Sequence, residues 1–283
     1  MPEMFMLFPN GKEKALTLSY DDGVQGDARL VTILKKYGLK GTFNLNSGLF
    51  SAEYEAGSSN DIYRRMTKKE ASALFDNSGM EIAIHGLTHP VMHRLDSGTC
   101  VHEMITDRKN LEEQFQTIIR GMAYPYDAHS AAVIECAKTC GIVYARTGGS
   151  SHSFDLPADW MLWVGTCHHN DPMLYQLTDR FIQEKVTGDP RLFYLWGHSY
   201  EFDEDNNWEC IETFAHTMGA QADIWHATNM EIYSYVHAYR TLFHSADGKR
   251  IHNPTAQTVW FRVNQKDGWK IYRVRPGENA VIS

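Results

Sequence analysis

Two short polar clusters, Ser19-Tyr20-Asp21-Asp22-Gly23 and His85-Gly86-Leu87-Thr88-His89-Pro90, each follow directly on an apolar run. Two imidazoles and one carboxylate form a common donor set for a divalent ion that keeps a position open for water, which the ion acidifies toward neutral pH. A second carboxylate can then take the proton. Adjacent aspartates suit this division because neighbours at a strand end point in different directions, so one can ligate while the other faces the water. Asp21-Asp22-Gly23 on its own also reads as a turn capping the next helix. The histidines beside it argue for a site. Pro90 and Gly86 work against a helix that would carry His85 and His89 on one face, so a ligand loop is expected.

A third apolar run, Phe193-Tyr194-Leu195-Trp196-Gly197, delivers His198. As a general acid it would protonate a leaving group opposite a carboxylate base, with Glu201 a candidate to orient it; a partly buried core histidine is the plainer reading. His93 is a spare imidazole expected on the surface. Trp163, Thr166, His168 and His169 follow one another in a further candidate strand and loop, and Trp196 lies beside His198. Aromatic rings near a polar rim can stack on sugars, although core packing is the commoner use of any single one.

The elements that must position these groups alternate. Strand-like runs over 15–20, 42–46, 81–85, 118–124, 142–146 and 192–196 are separated by helical patterns over 28–37, from the capping box Thr67-Lys68-Lys69-Glu70 to Gly79, and over 101–115, 130–140 and 174–185. Alternating strands and helices predict an α/β fold with a parallel sheet, and about seven units favour a distorted (β/α) barrel, closed or nearly so, over a doubly wound sheet. The chemistry of such a fold lies at the C-terminal ends of the strands. Asp21, Asp22, His85, Tyr126 and His198 all fall there. Beyond Trp225 come a helix over 230–244 and strands over 258–263 and 269–274, so the reading divides the chain into a barrel domain, 1–245, and a small C-terminal β-appendage, 246–283, packed on the barrel. That tail would cover the cleft or mediate association of copies into a homo-oligomer.

At 283 residues with 43% hydrophobic side chains the chain can bury a sizeable core. A net charge of −8 without blocks of like charge argues against nucleic acid and anionic membrane as partners and for a neutral one. Five cysteines, with Cys136 and Cys140 four apart in an apolar helical pattern, suggest buried thiols and no disulfide framework. No stretch is apolar enough for a membrane span, and the start lacks a signal-peptide pattern, so a cytoplasmic location is expected, or a secreted one if a leader was removed.

In their order along the chain, Asp21-Asp22, the His85 to His89 pair, Ala123-Tyr124-Pro125-Tyr126 and the strand ending at His198 resemble the motifs of the polysaccharide deacetylases, carbohydrate esterase family 4 with the NodB homology fold, over about residues 14–200. The resemblance implies that Asp21 is the catalytic base, that Asp22, His85 and His89 bind a metal, that His198 is the acid, and that the Tyr126 N–H faces the developing oxyanion. Zinc suits this donor set best, with cobalt or nickel able to replace it. The family usually has an arginine where this chain has Ala123, so the group that orients the aspartate is missing from its usual place; Arg146, ending the next strand, is a candidate replacement. Asp155-Leu156-Pro157-Ala158-Asp159-Trp160 is similar to a further family motif, or is a helix-breaking loop.

The expected activity is removal of an acetyl group from an acetylated carbohydrate through a metal-bound water, with N-acetyl amides ahead of O-acetyl esters. Two alternatives stand beside it. One keeps the site but takes a small non-sugar amide; the other is a carbohydrate-binding protein that has lost catalysis, motivated by the missing arginine.

Overall fold

A computed structural model describes residues 3–53 and 61–282. Its strands are β1 (Met4–Leu7), β2 (Lys14–Asp21), β3 (Thr42–Leu45), β4 (Glu81–Ile84), β5 (Gly121–Ala123), β6 (Tyr144–Arg146), β7 (Cys167–His168), β8 (Arg191–His198), β9 (Ile224–His226), β10 (Phe243–His244), β11 (Arg250–His252), β12 (Val259–Gln265), β13 (Gly268–Val274) and β14 (Asn279–Val281). The helices are α1 (Asp27–Lys36), α2 (Lys68–Phe75), α3 (Ser97–Phe115), α4 (Ala131–Thr139), α5 (Leu174–Gln183), α6 (Glu201–Glu204), α7 (Trp208–Gly219) and α8 (Asn229–Arg240). Side chains cap several helix starts: Thr67 and Thr228 form capping boxes with Glu70 and Glu231, and Asp96 and Ser130 accept from the first turns of α3 and α4.

Seven parallel strands in the order β6-β5-β4-β3-β2-β8-β7 curl into a half-barrel, as the alternation of elements predicted. β2 lies inside it, between β3 and β8. Its C-terminal half pairs with β3 and its N-terminal half with β9, while β8 runs along its whole length. Between the edge strands β6 and β7 the chain around Trp163 bridges the gap, Trp163 N–H donating to Ala145 O at 3.0 Å and Thr147 N–H to Trp163 O at 3.1 Å.

Strand alternation splits the two faces of this sheet. Leu16, Leu18, Tyr20, Phe43, Leu45, Ile82, Ile84, Phe193 and Leu195 join the main apolar core with the helices. Several of the intervening residues, Thr17, Ser19, Asp21, Thr42 and Asn44, are buried but polar, and they bond to one another or to polar neighbours. Asn44 Nδ2 donates to Ser19 Oγ and Asp21 Oδ1, both at 2.8 Å; Thr17 Oγ1 donates to Asn229 Oδ1, Asn229 Nδ2 to Tyr194 OH, and Thr42 Oγ1 to Glu81 Oε2. Buried polar atoms are tolerable only when partnered, and this mutual bonding lets a polar lumen lead up to the rim where Asp21 ends β2.

The tail is not built from the C-terminal residues alone. β12 and β13 form the expected hairpin, but β1 from the N-terminal end completes their antiparallel sheet, Met4 to Leu7 pairing with Val263 to Trp260. β10, β11 and β14 make a second small sheet. α7 was not assigned from sequence, although Ile211, Phe214, Ala215 and Met218 stand at helical spacing and are buried. All five cysteines are free, and Cys136 on α4 and Cys140 at its C-terminal cap are buried, as expected. No helix among the described residues is long and apolar enough to cross a membrane.

Candidate active site and metal centre

Asp21 is the last residue of β2 and is buried, its side chain directed into the barrel mouth. The next residue leaves strand geometry: Asp22 has φ 85° and Gly23 φ 65°. A side chain on Gly23 would meet Leu45 at 2.9 Å as well as sit in the left-handed region, so the turn needs glycine there. This reversal separates the two carboxylates. Asp21 meets Arg146 and Asn44, whereas Asp22 turns toward the histidine loop.

His85 directly follows β4 on its inward face, and its Nδ1 lies 2.8 Å from Ala123 O. A carbonyl can only accept, so Nδ1 carries the proton and Nε2 presents its lone pair. That Nε2 is 3.1 Å from His89 Nε2 and 3.9 Å from Asp22 Oδ1, and His89 Nε2 is 3.5 Å from Asp22 Oδ1. His89 reaches this position with φ 55°, outside helical geometry. Burial pushes both imidazoles down, His89 to about 4 with His85 adding to it, so both are neutral donors. Asp22 Oδ1 is buried without a well-aligned hydrogen bond, Arg65 Nη1 standing 2.8 Å away. Three donor atoms within 4.8 Å of one another, the outward-facing lone pair of His85 Nε2 among them, fit a divalent cation.

Helix α3 holds the loop that carries these ligands. Asp107 accepts from Ser47 N at 2.7 Å and His85 N at 3.1 Å, and one turn earlier Glu103 accepts from Thr88 N and Thr88 Oγ1, both at 2.8 Å. Sequence reasoning missed both carboxylates. Their signal was the i, i+4 acidic pair on the buried side of an amphipathic helix.

Ala123 is fully buried and Arg146 is its register partner on β6. From there the guanidinium lies against Trp196 at 4.5 Å and pairs with Asp21 Oδ2. Burial by itself would raise the Asp21 carboxyl, but Arg146 above all, with His198, overrules it and holds Asp21 well below the usual carboxylate range. His198 ends β8 with Nε2 3.8 Å from Asp21 Oδ2, the same separation as His85 Nε2 on the other side. Tyr126 and Asp127 both have positive φ, 54° and 55°. Among the described residues the Tyr126 N–H donates to no acceptor, and its ring stands 4.4 Å from that of His89.

These groups line one cavity of about 430 Å³, with Arg65, Tyr124, Gly148, Trp196 and Tyr200 completing it. The other candidates lie elsewhere. Asp155 pairs with Arg191, Asp159 caps a short 3-10 turn through Met161 N at 2.8 Å, and Trp160 packs on Trp163, so that segment is a loop that does not line the cavity. Trp163 is core, and His93 is exposed.

Residues 9–145 match the family model described as "Polysaccharide deacetylase". No curated protein matches the chain. Among solved structures, a candidate polysaccharide deacetylase from Mycobacterium smegmatis superposes with TM-score 0.56 at 17% identity, covering 85% of this chain and 96% of that one. The peptidoglycan deacetylase PdaC from Bacillus subtilis gives 0.52 at 16% identity over 83% and 95%. A deacetylase from Streptococcus pyogenes, in complex with acetate, gives 0.41 at 23% identity, covering 47% of this chain and 55% of that one. At these identities the first two likenesses establish the shared fold.

Proposed function

The chain belongs to the polysaccharide deacetylase family through its residues 9–145, and on that premise we propose that it is a metal-dependent hydrolase that removes the acetyl group of an N-acetylated carbohydrate, with O-acetyl esters as the lesser substrate. The observation that carries this reading is the convergence of Asp22, His85 and His89 beside a second buried carboxylate, Asp21, which is not part of that donor set.

Asp22, His85 and His89 would hold the ion, and zinc is the best match to one carboxylate and two imidazoles, ahead of cobalt or nickel. A divalent cation there supplies Lewis acidity, polarising an acyl carbonyl and acidifying a water. Asp21 takes the proton of the attacking water. Arg146 keeps Asp21 ionised and fixes its direction, in the place of the arginine absent at Ala123. The Tyr126 N–H donates to the oxygen on which charge develops. His198, through Nε2, hands a proton to the departing nitrogen. We further propose that residues 1–245 constitute the catalytic domain, with 246–283 an appendage to which β1 contributes a strand.

Acetate release from N-acetylated oligosaccharides by zinc-reconstituted protein tests the reading. Wild type is expected to turn over and Asp21→Asn to lose at least about 100-fold, the lower end of the range for a general base. Equal turnover by the two rejects Asp21 as base, and no release by wild type under zinc, cobalt or nickel rejects the activity.

A further inference from the structure

Behind His198 lies a second group that resembles a metal site. One oxygen, Glu201 Oε2, is ringed by nitrogens: His198 N at 3.0 Å, His168 Nε2 at 3.1 Å, and His198 Nδ1 and His169 Nε2 both at 3.3 Å. His168, His198 and Glu201 are close enough to share a cation. The hydrogen bonds decide against one. Asn170 N–H donates to His168 Nδ1 at 3.1 Å, so that nitrogen keeps its lone pair and the proton sits on Nε2, facing the carboxylate. At the first site His85 has the opposite tautomer. One cluster therefore turns the lone pair of its buried imidazole to a cation, and the other presents N–H groups to an anion.

We propose that Glu201 and His168 are positioning residues for His198: His168 anchors the Glu201 carboxylate through Nε2–H, and the carboxylate holds His198 in its protonated form with Nε2–H aimed into the cavity. This rests on the reading of His198 as the proton donor. The other groups facing His198 are Asp21 and Asp22 from the end of β2, the former 3.8 Å from Nε2; the His168 ring from β7 at 6.2 Å; and the Tyr200 ring at 5.1 Å. Arg146 is engaged by Asp21. Burial opposes protonation of His198, but Glu201 first and then Asp21 overcome it and raise its pKa. The Nδ1 approach is oblique, so charge contributes more than a linear hydrogen bond. His169 completes the ring as a neutral group, buried between Tyr20 and Phe202 and pushed down to about 3 by burial and by His168.

The midpoint of the His198 imidazole, read by NMR of ring-labelled histidine in the full chain, tests this without reference to turnover. In Glu201→Gln it is expected to fall by about one unit or more, the effect of removing one adjacent charge. His168→Phe keeps a ring against Trp196 but has no donor, and it should lower the midpoint by a smaller amount. His168→Gln, whose amide can donate at the same place, should restore it. An unchanged midpoint in Glu201→Gln, or equal falls in both His168 variants, overturns the proposal. So does binding of a second zinc equivalent that His168→Phe abolishes. If His198→Gln retains wild-type acetate release, the reading of His198 as the acid fails while the titration result stands on its own.

Discussion

Arg146 stands beside Ala123 in register, one strand over, and from there its guanidinium reaches Asp21. Neighbouring strands are only about 4.8 Å apart, a distance a long arginine side chain spans easily, and the small Ala123 leaves the space open. The charge that the family delivers from one strand thus arrives at the same carboxylate from the next.

Removing one half of this pair should be costly. Arg146→Ala leaves Asp21 buried without its directly paired countercharge, for which a loss of about 3–5 kcal/mol in folding stability is expected. Arg146→Met combined with Asp21→Asn removes both charges and should regain most of that loss while remaining inactive. Urea unfolding of the two variants checks this. A double variant as unstable as Arg146→Ala would mean that packing, not the unpaired charge, sets the cost.

Glu103 touches neither the cavity nor the three donor atoms, yet Glu103→Ala should weaken zinc binding by roughly 10- to 100-fold, the usual effect of losing a group that orients a ligand. Its two bonds to Thr88 fix the loop between His85 and His89. Chelation should lower the wild-type melting temperature, and saturating zinc should restore it, worth roughly 3 kcal/mol at a hundredfold excess over Kd. Competition with a chromogenic chelator measures the affinity. An unchanged zinc affinity in Glu103→Ala would remove α3 from the support of the site.

Asp27 opens α1 and is wholly buried; burial pushes its carboxyl up to about 8, against the hydrogen bond it accepts from Ser199 Oγ at 2.6 Å. The folded state then keeps a proton that the unfolded chain releases near pH 4, so from there to about pH 8 stability falls as pH rises. The slope from this one group is at most about 1.4 kcal/mol per pH unit. Asp27→Asn should flatten the decline and melt above wild type at pH 8. Parallel melting curves for the two proteins across pH 5–8 would show that Asp27 is ionised in the folded state.

The sequence by itself determined the alternation of strands and helices, because the periodicity of apolar side chains is a local property of each segment. It also placed Asp21, Asp22, His85, Tyr126 and His198 on one rim, since each ends a strand or lies just beyond one and parallel strands end on the same side. Only the tertiary structure decided the relations between strands. Which nitrogen of His85 or His168 keeps its lone pair depends on a partner outside its own strand–loop pattern, and the same holds for Arg146 reaching Asp21 and for β1 joining β12 from across the chain. Such contacts are set by register and proximity, which leave no period in the residues that make them.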